Sequence, residues 1–338
     1  MSIIENNNYL YIYGKIETKS CYQIANHMIN NNNLFCIISI FSILNKNSAF
    51  FLNYDVICLD YLVTHFLPEN TFIMFLNKLK NSGKKIVFHL HDLHEYSFKY
   101  CKKMQNIYKN RVKGKSIYPI NIPSDGVKKL CEQLSKGNCQ YIISYYDNVE
   151  LRNILNSYSE IKQHIIIPFH IETKIFRDYK LPKKYDILLI GSYDKDSYNF
   201  RSRLYHLLLK YNSSFRIKIT KKIKYGTNIS KLINSSWLTI ATYSNFHYLV
   251  RKYFEISASK SVILGNMTYM GKDIWKDNYI HIDREMSDTQ IINTIKTALQ
   301  NKKKLKEISK TMYSIMHTEY NYKRLCEKYN NFFKSINN

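Results

Sequence analysis

Short, unbroken apolar runs separated by longer helical patterns recur along this 338-residue chain and narrow the folds open to it. Runs at 9–13, 35–41, 55–59, 85–90, 141–144 and 165–167 occupy the first half, and runs at 186–190, 215–220, 237–242, 261–264 and 279–282 the second. They are rich in Ile, Val, Tyr and Phe, residues that suit a pleated surface. They do not alternate apolar with polar, so burial on both strand faces is expected, as in parallel sheets covered by helices. The segments between them read as helices. Ser287-Asp288-Thr289-Gln290 has the spacing of a capping box, and Ile291, Ile295 and Leu299 then recur on one helix face. Strand and helix alternate along the chain, so the expected class is α/β.

The length suggests roughly two domains. The rhythm restarts near residue 185, after a punctuated segment, 168–184, that holds two of the five prolines. Tyr185 to Ile190, followed by Gly191-Ser192, reads as the first strand and turn of a second doubly wound sheet. The boundary is expected between 172 and 184, with an N-terminal Rossmann-like domain over 1–175 and a second over 185–316. Two such domains facing each other leave a cleft at the carboxyl ends of their strands, where ligands of open α/β sheets bind.

Lys+Arg number 50 against 26 Asp+Glu, a net charge of +24. This excess invites a nucleic-acid or anionic-surface partner. Only nine of the 50 basic residues are Arg, however, and Arg is the residue suited to bidentate phosphate and base recognition. Lys, Asn, Ile and Tyr share A/T-rich codons, so an A/T-rich genome, cellular or that of a large DNA virus, accounts for part of the charge. The seven cysteines form no C-x-x-C pair, which disfavours a zinc site or disulfide framework and fits a reducing compartment. No basic-then-apolar leader is visible at the N-terminus, and the longest apolar run, about eleven residues from Leu34, is far short of the roughly twenty that span a bilayer. A cytoplasmic location is expected, the host's if the source is viral.

Chemistry concentrates in the segment 250–264. Arg251 and Glu255 share a helix face; a cation there suits a diphosphate and a carboxylate suits ribose hydroxyls, although an ordinary i,i+4 ion pair is the plainer reading. Gly191-Ser192 closes a strand before a helix, so its N–H groups are candidates for a phosphate. Arg201 and Arg203 keep Arg where Lys is the default. Asp194-Lys195-Asp196 matches a metal-binding D-x-D, a short pattern frequent by chance, and is not assigned that role.

Taken in order, these segments resemble GT-B glycosyltransferases, specifically the spore-maturation CgeB-like group of the glycosyl transferases family 1 type. The likeness rests on Leu189 to Tyr193 with Phe200 to Leu204; on Val250 to Leu264, against a K/R-x-F-E-hydrophobic-x-A-x-G pattern; on Asp273 to Asp283; and on His317-Thr318 through Arg324. It covers about 185–330 and reaches the first half by rhythm alone. It implies a GT-B fold of two facing Rossmann-like domains and a C-terminal helix, 317–338, crossing back to the first. It also implies a nucleotide-diphosphate sugar donor (UDP or GDP), no tightly bound cofactor and no catalytic metal. The donor residues it points to are Gly191, Ser192, Arg201, Arg203, Arg251, Glu255, Ser257, Ser259 and Lys260. Lys260 stands where the family has Gly, which alters the expected phosphate contact, and Asp273 is a weak candidate for the family's acidic position.

His89-Leu90-His91-Asp92-Leu93-His94-Glu95 follows a strand. On the transferase reading, His91 is the general base for an acceptor hydroxyl and Asp92 orients it. On a rival reading His89, His91 and His94 bind a metal in a hydrolase, and on a third they are histidines satisfied inside the fold. Gly14, after the first strand, is a weaker candidate beside the acceptor. The acceptor is left open as a glycan, protein or other hydroxyl. A non-enzymatic basic protein binding nucleic acid or an anionic surface is the alternative.

Overall fold

The computed structural model describes residues 9–13, 35–39, 46, 48–60, 63, 67, 69–90, 126–147, 149–193, 198–221, 226–244 and 248–337. The chain divides into two compact units, one made of Met1–Pro168 with Cys326–Asn338 and the other of Phe169–Leu325.

The first unit carries a six-stranded parallel sheet. Its strands are β1 (Tyr9–Tyr13), β2 (Phe35–Ser39), β3 (Val56–Asp60), β4 (Lys85–Leu90), β5 (Tyr141–Ser144) and β6 (Gln163–Ile166), in the order β2-β1-β3-β4-β5-β6. Helices α1 (Ser48–Phe51), α2 (Glu69–Asn81), α3 (Gly126–Lys136) and α4 (Val149–Asn156) connect them. One sheet face buries Leu10, Ile12, Ile57, Leu59, Ile86 and Phe88 in an apolar core with Phe72, Leu76 and Leu130. The alternate residues are buried too. Tyr9 meets Phe333 at 5.0 Å between ring centroids, and Tyr141 meets Phe332 at 6.2 Å. Burial on both faces is the reason these strands show no polar alternation.

The second unit carries a five-stranded parallel sheet of β7 (Tyr185–Ile190), β8 (Ile217–Thr220), β9 (Ser236–Ile240), β10 (Val262–Gly265) and β11 (Ile280–His281), ordered β11-β10-β9-β7-β8. Its helices are α5 (Asn199–Lys210), α6 (Thr227–Asn234), α7 (Lys252–Ala258), α8 (Tyr269–Trp275), α9 (Asp288–Gln300) and α10 (Lys302–Glu319). The last helix, α11 (Tyr322–Asn337), starts in this unit and contributes its residues from Cys326 to the first. Ile187, Leu189, Leu238, Ile240, Val262 and Leu264 pack with Leu204 of α5 and Ile291 and Ile295 of α9.

Both sheets are wholly parallel and helix-covered, the α/β class that the unbroken runs dictate. Strand ends differ from expectation at the edges, where polar residues extend or shorten the pairing. β6 begins at Gln163, β8 at Ile217, and β11 keeps only two residues. The capping box forms as spelled: Ser287 Oγ accepts from Gln290 N at 3.2 Å and Gln290 Oε1 from Ser287 N at 2.7 Å. No helix among the described residues is long and apolar enough to cross a membrane.

Candidate functional site

The carboxyl ends of β7 and β9 meet where the chain of the second sheet reverses its winding, β7 leading outward to β8 and β9 lying on its other side. Gly191 ends β7 with φ +87°, a left-handed conformation that favours glycine. A Cβ there would lie 2.8 Å from Lys252 Nζ. That ammonium donates to Ile190 O. Burial pushes the Lys252 ammonium well below the ordinary lysine range; Arg201 adds to the push and Glu255 opposes it.

One helical turn on, Glu255 is 6% exposed. Its Oε1 pairs with Arg251 Nε at 3.1 Å. Burial raises the carboxyl above its usual range, while Arg251 and Lys252 pull it back. Lys252 thus sits against the Gly191 turn, and one helical turn on Glu255 pairs with Arg251, residue types suited to a diphosphate and its ribose.

The other expected donor residues have different employment. Arg201 is buried and donates through Nε to Thr242 Oγ1 at 3.2 Å, through Nη1 to Ser192 O at 2.9 Å and through Nη2 to Thr242 O at 2.8 Å. Its guanidinium carbon lies 3.9 Å from the Tyr198 ring centre. Arg201 therefore clamps the turn after β7 to the end of β9. Arg203, two residues on, points to another side of α5. It binds Asp288 at 2.7 Å and the carbonyls of Arg284 and Met286, both at 2.7 Å. It anchors the entrance to α9, not the Gly191 turn. The Gly191 N–H donates to Thr220 O at 3.0 Å and so continues the sheet pairing.

Ser257 and Ser259 lie inside the unit. Ser257 Oγ accepts from Trp275 Nε1 at 2.8 Å, and Ser259 Oγ shares a 2.8 Å hydrogen bond with Ser230. Lys260 has φ +59° just past the end of α7. A left-handed helix terminus is reason enough for glycine at that place. The Lys260 ammonium pairs with Asp178 at 2.7 Å, and its carbonyl takes Lys183 Nζ at 2.8 Å. Asp178 is thus the partner of the Lys260 ammonium. The His-Thr ending is also scaffolding, with His317 Nε2 3.1 Å from Ala258 O.

In the first unit, His89 is buried at 2% exposure. Its Nδ1 lies 3.3 Å from Tyr11 Oη and its Nε2 3.2 Å from Tyr329 Oη, while Tyr11 donates to Asp60 Oδ2 at 2.7 Å. These are the partners of a histidine satisfied inside the fold. Gly14, His91, Asp92, His94 and Asp194 to Asp196 lie outside the described residues.

Lys252 is the residue the sequence reading passed over. The K/R-x-F-E spacing marks it, three before Glu255, next to the scarcer Arg251.

No family model matches the sequence, and no curated protein matches it. Solved structures do. Anabaena HepE in complex with UDP superposes with a TM-score of 0.60 at 8% identity, over 97% of this chain and 100% of that one. A glycosyltransferase from Rickettsia africae gives 0.59 at 13%, over 98% and 99%. An alpha-glucosyltransferase in complex with UDP and a 13-mer DNA containing a HMU base gives 0.56 at 8%, over 96% and 99%. At these identities the likeness shows the fold, which is that of GT-B glycosyltransferases.

Proposed function

We propose that this protein is a glycosyltransferase that moves a sugar from a nucleotide-diphosphate sugar to an acceptor hydroxyl without a catalytic metal. The observation that carries the reading is the Arg251–Glu255 pair beside Lys252 at the Gly191 turn. UDP is the favoured nucleotide, ahead of GDP, because the similar HepE and alpha-glucosyltransferase structures hold UDP. The finer kinship with the CgeB-like group rests on the motif residues alone.

In the reaction, the acceptor oxygen forms a bond to the anomeric carbon as the bond from that carbon to the diphosphate oxygen breaks. The acceptor proton passes to a base, for which His91, oriented by Asp92, is the candidate. The diphosphate leaves with its developing charge met by Lys252 and Arg251 in place of a metal. Glu255 accepts from the ribose hydroxyls once Arg251 turns to the phosphates. The first domain, with α11 crossing back to it, takes the acceptor, and the enzyme works in the cytoplasm.

The test is thermal unfolding with UDP and GDP, paired with a panel of nucleotide sugars offered to water as acceptor. UDP is expected to raise the Tm, one UDP-sugar to release free UDP, EDTA to change neither, and Glu255→Ala to abolish the UDP shift. No shift with any nucleoside diphosphate or nucleotide sugar overturns the reading. A second reading, a nucleic-acid acceptor, is favoured by the +24 charge and by the DNA-bound similar structure.

A further inference from the structure

The second unit has a groove of about 640 Å³ away from the Gly191 turn, between the edge strand β11, the outer face of α9 and the start of α10. Its chemistry differs from the rest of the chain. The molecule is 22% charged with a net +24, yet Lys304 is the one Lys, Arg, Asp or Glu among the described residues lining it. In their place stand Gln290, Asn293, Thr294, Thr297 and Asn301, on a floor that includes Met286 and Leu305.

The helix explains the stripe. Ile291, Ile292 and Ile295 turn into the core, so positions 290, 293, 294 and 297 face outward together. Part of the stripe is used internally, since Gln290 Oε1 caps the helix and Thr294 Oγ1 donates to Gln290 O at 2.9 Å. Asn293 and Thr297 are exposed, one turn apart, and neither side chain has a hydrogen-bond partner among the described residues. Between them they offer an amide and a hydroxyl, each both donor and acceptor.

On the opposite wall Tyr279 and His281 stand edge to face, ring centroids 5.9 Å apart. Ile282 N donates to Gly265 O, so the intervening His281 peptide groups lie along the free edge of the sheet. The volume is that of a small-molecule site, with aromatic and aliphatic surface and a few convergent polar groups. A metal or an organic cation would want carboxylates, and a phosphate would want more than one lysine. A neutral polyol wants what is present: amides and hydroxyls to meet its hydroxyls, and an aromatic wall for its C–H face.

We propose that this groove binds a neutral oligosaccharide, as a second carbohydrate site separate from the donor site. On the transferase reading it retains a glycan chain near the enzyme between transfers; the binding itself does not depend on that reading. The test is a glycan array probed with the full chain, followed by titration calorimetry with the neutral oligosaccharide giving the strongest signal, against Asn293→Ala/Thr297→Ala. Alanine at two exposed helix positions favours the helix, so the variant keeps its fold, which its Tm checks. The expected result is array binding to neutral glycans and a tenfold or greater loss of affinity in the variant. No array signal above that of a control protein, or equal affinity in the variant, overturns the proposal. The UDP-induced Tm rise, read on the same samples, reports the donor site separately. Its absence with glycan binding intact counts against the transferase and leaves the groove standing.

Discussion

A buried ammonium with a guanidinium for a neighbour holds its proton weakly, although a carbonyl that accepts from it works the other way. Lys252 is in that position at Ile190 O, and burial first, then Arg201, lowers its pKa well below the ordinary value. A diphosphate arriving there supplies negative charge and restores the proton's hold. The sign follows. The anion prefers the charged lysine, so UDP affinity falls as pH rises through the Lys252 pKa of the free protein, and binding takes up a proton in the window between that pKa and the higher one of the complex. Calorimetry of UDP binding in buffers of differing ionisation enthalpy should show that uptake, and Lys252→Met should lose it together with at least tenfold in affinity. A pH-independent affinity in the parent protein refutes the assignment. The Arg251–Glu255 pairing was readable from i,i+4 spacing, while its donor role comes from the family resemblance. Lys260 was not, because its departure from glycine looks like chemistry until the φ of +59° shows a helix terminus.

Elements are placed by residues that sequence reasoning took for ligands. Arg203 fastens the loop before α9 by charge-assisted bonds to Asp288 and two carbonyls. The pair is partly exposed, with side chains 35% and 47% accessible. Solvent screening therefore trims the roughly 1.5–3 kcal/mol such bonds carry. Arg203→Ala is expected to destabilise the protein by about 1–2 kcal/mol in urea unfolding, with Arg203→Lys recovering part of it because an ammonium cannot fork. UDP affinity should not move, and a tenfold loss would return Arg203 to the donor site. The capping box and the Ile291–Ile295 stripe of α9 were legible because they are local rules. The Arg203 anchor was not, since Asp288 lies 85 positions along the chain and only the fold brings them together.

At the scale of the whole molecule the question is what the +24 does. A chain that grips a duplex gathers its cations on one face, and Arg leads. Here lysines are dispersed, and many have local duties. Lys84 donates to Leu52 O at 3.0 Å, Lys183 holds three carbonyls at 2.7–2.9 Å, and Lys221 and Lys302 lie over Tyr193 and Trp237. Such lysines cap helices and cover rings in both units. Diffuse charge of this kind attracts DNA at low ionic strength but contacts few phosphates at once. The logarithm of affinity for duplex DNA should therefore fall with the logarithm of salt at a shallow slope, about −2 to −4, where a dedicated reader of six to ten phosphates loses roughly 10³–10⁵ between 50 and 200 mM. Fluorescence anisotropy with a labelled duplex measures it. On the transferase reading UDP takes a separate, small anion-binding site, so saturating UDP should leave that weak binding unchanged. A slope as steep as −6 or beyond, or DNA binding strengthened by UDP, would instead favour nucleic acid as the acceptor.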